Sequence, residues 1–61
     1  MREIFLIKDI KTDFYWTGDY WSGWSHAFEY NTRNGAKHIV INEILTNSGN
    51  PYCEIIPVWK K

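Results

Sequence analysis

Three side chains in this 61-residue sequence have the chemistry of a soft ligand or nucleophile: His26, His38 and Cys53. An imidazole beside a thiol lowers the thiol's pKa and turns it into a nucleophile. No motif sets either histidine beside Cys53, and a cysteine in a strand-like stretch is more often an inert structural thiol. A single cysteine also excludes an internal disulfide and any cysteine-based zinc cluster. The carboxylates Asp13, Asp19, Glu29, Glu43 and Glu54 show no spacing that forces two of them together. Asp19 lies among aromatic residues, as an acid for glycoside cleavage would, yet a chain this short lacks room for a water-excluding cleft. Its place directly after Gly18 reads as a turn. Gly18, Gly23, Gly35 and Gly49 match no phosphate-binding pattern. These residues point to a protein that is not an enzyme and that takes neither cofactor nor metal.

Aromatic residues carry the stronger signal. The stretch from Phe14 to Tyr30 holds Phe14, Tyr15, Trp16, Tyr20, Trp21, Trp24, Phe28 and Tyr30, leaving only Phe5, Tyr52 and Trp59 elsewhere. Large rings supply much apolar area at small entropic cost, and Trp and Tyr dominate binding energy between proteins. The segment therefore builds the core, presents a binding face, or does both. Stacking of single-stranded bases is a further use for such rings, but it normally comes with a basic groove. Seven basic residues balance seven acidic ones here, and the signs alternate along Arg2, Glu3, Lys8, Asp9, Lys11 and Asp13. Nucleic acid thus ranks below protein as a partner. No apolar run approaches the length of a membrane span or a signal peptide, and a lone thiol suits a reducing compartment, so cytoplasm is the expected location.

Residues 1–61 make one small domain, whose elements must position these rings. Arg2 to Lys8 reads as a strand, with Ile4 and Leu6 on one side and Phe5 and Ile7 on the other. A polar connection, Asp9 to Asp13, leads to a second, antiparallel strand over Phe14 to Thr17. Gly18-Asp19 and Ser22-Gly23 are turn signals, and the residues between them suit a hairpin extension, a third short strand or a tight loop. For residues 33–47 two readings compete. Asn34-Gly35 favours a hairpin, whereas at 100° per residue Ala36, Val40, Ile41, Ile44 and Leu45 fall on one stripe opposite His38 and Asn42. Thr32 is a good N-cap, and Asn47-Ser48-Gly49 before Pro51 is a good stop. The helix, from about Arg33 to Asn47, is the preferred reading. Tyr52 to Trp59 closes the chain as a strand, with Cys53, Ile55, Pro57 and Trp59 on one face and Ile56 and Val58 on the other. Pro57 places it at an edge, or turns the missing N–H outward.

The expected fold is α+β in the order β-β-α-β. It has a three-stranded, possibly four-stranded, antiparallel-type sheet, with one helix on one face. The first strand is central, and a right-handed crossover sets the last strand parallel to the second.

Ala27-x-x-Tyr30-x-Thr32-x-x-x-Ala36 resembles a pattern found in small phage and prophage proteins. In these an aromatic hairpin leads through A-x-x-F-x-T-x-x-x-A into a helix and a final strand. Tyr15, Trp16 and Trp21 would be the hairpin aromatics here, and Glu54 to Val58 the last strand. Tyr30 replaces the usual Phe, and Asn34-Gly35 stands where charged helix formers are usual. Most such proteins have no assigned function, and some inhibit bacterial defence systems by direct binding, often as homodimers.

One helix covers one sheet face, yet both faces look apolar. The expected function is therefore protein binding: a homodimer through the uncovered face, with an unidentified host protein as a second partner. Candidate contacts are Phe5, Ile7, Ile56 and Val58 on that face, with Ile39, Trp16, Tyr20, Trp21 and Trp24.

Overall fold

The computed structural model describes the backbone of residues 2–48 and 52–60, and the side chains of residues 2–45 and 52–60. Gly49 and Pro51, half of the stop signal after the helix, lie outside the described residues. Four strands form one antiparallel sheet in the order β3-β2-β1-β4. They are β1 (Arg2–Asp9), β2 (Tyr15–Trp16), β3 (Trp21–Ser22) and β4 (Cys53–Lys60). β1 is central as expected, and β4, antiparallel to β1, runs parallel to β2. The second strand is shorter than Phe14 to Thr17, and the segment left open in the sequence supplies the fourth strand.

Local chemistry explains the turns. After β1, the Asp9 carboxylate accepts the Lys11 N–H at 2.9 Å, and the Asp13 N–H donates to the Asp9 carbonyl at 2.8 Å. Asp13 adopts φ +63°, a left-handed geometry that Asp tolerates better than most residues. Between β2 and β3, Gly18 sits at φ +112°, where a side chain would be strained. The Thr17 hydroxyl donates to the Tyr20 carbonyl at 3.0 Å and accepts the Tyr20 N–H at 3.2 Å.

Residues 33–47 are helical, not a hairpin. The α-helix α1 (Arg33–Ile39) continues as a π-helical segment over Val40–Ser48. Thr32 caps it as expected, its hydroxyl accepting the Gly35 N–H at 3.0 Å. A Cβ on Gly35 would lie 3.1 Å from that hydroxyl oxygen, so glycine leaves the cap uncrowded. The π segment turns by less than 100° per residue because its bonds run from i to i+5. The apolar stripe is therefore only partly right. Ala36 and Ile44 are fully buried, while Ile41 and Leu45 drift off the core side and are half exposed.

Register decides which residues share a face. Phe5 pairs with Pro57, Ile7 with Ile55 and Asp9 with Cys53, so all of these lie on the face under the helix. The core there is Phe5, Ile7, Trp16, Ala36 and Ile44, with Trp21, Tyr30, Ile39, Val40, Cys53 and Ile55 packed against it. Ile56 and Val58 pair instead with Leu6 and Ile4 and face outward. The grouping of Phe5 and Ile7 with Ile56 and Val58 on an uncovered face is thus corrected by one residue of parity.

Phe5 also exchanges two backbone bonds with Tyr30, at 2.8 and 3.0 Å, on the side of β1 away from β4. The Phe5–Pro57 pair is therefore a non-hydrogen-bonded one, and the proline nitrogen points to the open edge where no donor is needed. With Ile44 fully buried and Leu45 half exposed, Ile44→Ala costs about 2–5 kcal/mol, whereas Leu45→Ala stays within about 0.5 kcal/mol. Urea unfolding of both variants checks it.

Candidate functional site

The outer sheet face has cover of its own. After β3 the chain makes a 3-10 turn, Trp24–His26, held by His26 N–H to Gly23 and Ala27 N–H to Trp24 bonds of 3.0 and 3.1 Å. The Phe28 N–H then donates to the Trp16 carbonyl at 3.0 Å, and Tyr30 reaches Phe5. This crossing leaves Ile4 only 2% and Leu6 8% exposed. The whole chain exposes 4323 Å², against about 4,200 Å² for a folded monomer of 7.3 kDa. The expectation of an uncovered face rested on too few elements. It missed an irregular segment, whose backbone is satisfied by β1 and β2, serving as a second layer.

The crossing segment does not close the face completely. A groove of about 280 Å³ remains between it and β1 and β4. Ile4, Leu6 and Val58 line it, with Trp24, Ser25 and Ala27 along the crossing segment. Trp24 is 74% exposed at the rim. Glu29 and Lys60 stand at one end, where Glu29 binds both Lys60 and, at 3.7 Å, Arg2. At the other end of the face Lys8 meets Asp13 at 3.2 Å, with Glu54 opposite it across the strand pair. The Lys8 ammonium is pushed above its ordinary pKa chiefly by the hydrogen bond to Asp13 and its charge, with Tyr15 and Glu54 adding smaller contributions.

The other candidates divide. Phe5, Ile7 and Trp16 are buried in the chain's own core, and Ile39 and Trp21 are half buried against it. Trp16 and Trp21 meet edge to face at 5.2 Å between centroids, an arrangement that suits packing more than presentation. These five are core residues, not contacts. Tyr20, on the turn between β2 and β3, is 60% exposed, and Ile56 and Val58 are half buried on the outer face. Sequence reasoning missed Phe14, Phe28, Tyr52 and Trp59, all exposed rings. Parity alone set Trp59 beside Cys53 and Ile55, but its partner Glu3 lies near the open end of the strand pair.

His26, His38 and Cys53 fall on three different elements, and among the described residues no three His, Cys, Asp or Glu side chains converge as a metal shell. Cys53 is half buried. Burial, and secondly the Asp9 charge, push its thiol above the ordinary value. Burial, with a smaller contribution from Glu43, raises Tyr30 likewise. Among the described residues Arg2, Lys8 and Lys60 are engaged with carboxylates, while Lys11 and Arg33 stand over the Tyr52 and Phe5 rings. Among the described residues no helix is long and apolar enough to cross a membrane. The chain matches no family model, no curated protein and no solved structure.

A raised thiol pKa means less thiolate at a given pH. Cys53 should react with iodoacetamide at pH 8 more slowly than an unfolded cysteine peptide, and urea should abolish the difference. Equal rates in native buffer would contradict the burial and charge described here.

Proposed function

We propose that this protein acts by binding other protein molecules, with the outer sheet face and the exposed rings of residues 14–30 as its contact surface. One observation carries this reading. Of the eight rings between Phe14 and Tyr30 only Trp16 is buried, while Phe14, Tyr20, Trp24 and Phe28 are exposed. A chain short of core area has turned half of its richest aromatic stretch outward. Trp24 stands at the rim of the groove and Tyr20 on a turn, and exposed Trp and Tyr are residue types that anchor protein interfaces. The likeness to small phage proteins suggests the biological setting, a host defence protein as target and a dimeric inhibitor. That part rests on the Ala27-to-Ala36 pattern alone.

Because these rings support no core, their removal separates binding from folding. Trp24→Ala and Tyr20→Ala should each change stability by no more than about 0.5 kcal/mol in urea. At least one should weaken retention of a host-lysate partner by about 2 kcal/mol or more, roughly thirtyfold. Retention equal to wild type in both folded variants would refute the assigned surface.

A further inference from the structure

We infer that Asn34 is a site of spontaneous covalent modification, exchanging its side-chain amide for an acid with water as co-reactant, and that the Thr32 cap gates the reaction. The site lies at the start of the helix and is independent of the binding surface.

Sequence supplies the reactive pair. An asparagine cyclises when the backbone nitrogen of the next residue attacks its side-chain carbon Cγ, and a side chain on that next residue obstructs the approach. The asparagines of this chain are followed by Thr32, Gly35, Glu43, Ser48 and Pro51. Asn34 alone is followed by glycine, which also has the backbone freedom that ring closure demands. Its side chain is exposed to solvent.

The step balances with water alone. The Gly35 nitrogen gives its proton to solvent base and bonds to Asn34 Cγ; the Cγ–Nδ2 bond breaks, and Nδ2 leaves as ammonia. Water then opens the five-membered succinimide. Breaking the bond between the Gly35 nitrogen and Cγ gives aspartate. Breaking the bond from that nitrogen to the backbone carbonyl carbon gives isoaspartate, with the chain running on through Cγ.

The state of the Gly35 N–H sets the rate. Deeper in a helix the attacking N–H is bound to the carbonyl four residues back. Gly35 stands too early for that, because the first backbone bond of α1 runs from the Ala36 N–H to the Thr32 carbonyl at 3.2 Å. The Gly35 N–H is one of the orphan donors of the first turn, and the Thr32 hydroxyl accepts it at 3.0 Å. Attack on Cγ requires that bond to break and Asn34 to leave its helical ψ, a local opening that a helix end undergoes without global unfolding. The glycine that leaves the cap uncrowded also leaves its own nitrogen unshielded.

The two products act in opposite senses. α1 has no acidic residue in its first turn and carries Lys37 and His38 in its last. An aspartate at this position puts negative charge where the helix dipole favours it, three and four residues before Lys37 and His38. Isoaspartate adds a methylene to the backbone inside the first turn, which draws the Gly35 N–H off Thr32.

Peptide mapping by mass spectrometry, after incubating the full chain in mildly alkaline buffer, tests this. In urea the wild type should convert at Asn34 to both acids, and in native buffer about tenfold more slowly. Thr32→Ala should raise the native rate about fivefold, and Thr32→Ser should return it to the wild-type value. Thr32→Gly removes the hydroxyl at little cost to the helix, and takes the place of Thr32→Ala should that variant not fold. Leu6→Ala weakens the sheet on the face away from the cap, and while folded it should convert at the wild-type rate. Equal rates in native buffer and urea, no acceleration on loss of the Thr32 hydroxyl, or the same acceleration in Leu6→Ala would each overturn the inference.

Discussion

Eight consecutive cross-strand pairs, from Arg2–Lys60 to Asp9–Cys53, tie the two ends of this chain together. Every other feature is hung on that ladder. Its parity selects Phe5, Ile7 and Ile55 for the helix side and Ile4, Leu6, Ile56 and Val58 for the outer side. A shift of β4 by one residue would turn Ile55 outward and bring the charged Glu54 under the helix. The ladder also leaves one edge of β1 open beyond its short contact with β2. Tyr30 takes that edge through its two bonds to Phe5.

That second attachment converts a loop into a layer. The segment from Trp24 to Glu29 has no buried residue in its 3-10 turn and no regular partner strand, yet it shields Ile4 and Leu6. Its backbone can do so because Phe28 and Tyr30 find acceptors and donors on Trp16 and Phe5, so little polar cost opposes the crossing. The short sheet is thus covered on one side by a capped helix and on the other by an irregular strap. Trp24 is left outside because the strap spends Ala27 and its own backbone, not its largest ring, on the cover.

The exposed surface follows from the same economy of elements. With a core of Phe5, Ile7, Trp16, Ala36 and Ile44, a 61-residue chain has little room for further large rings. The surplus aromatics sit outside the core, and the polar tips of Tyr20, Trp24, Tyr52 and Trp59 stay wet there. Arg2, Lys8, Glu54 and Lys60 share the outer side because alternate strand positions share a side, and Glu29 meets Arg2 and Lys60 from the crossing segment.

The sequence by itself determined the α+β class, the central first strand and the Thr32 cap; it favoured a helix over a hairpin for 33–47 and narrowed Pro57 to an edge strand or an outward-facing nitrogen. These depend on periodicity, capping and backbone donors, which act over a few residues. It also marked the segment from Phe14 to Tyr30 as the one to watch. Tertiary structure alone decided the pairing parity of β1 and β4, the π-helical drift that exposes Ile41 and Leu45, and the sorting of Trp16 and Trp21 inward and Trp24 outward. Those outcomes turn on contacts between residues far apart in the chain. No local pattern encodes which backbone edge Tyr30 will find, and that one junction determines how much of the outer face the crossing segment covers.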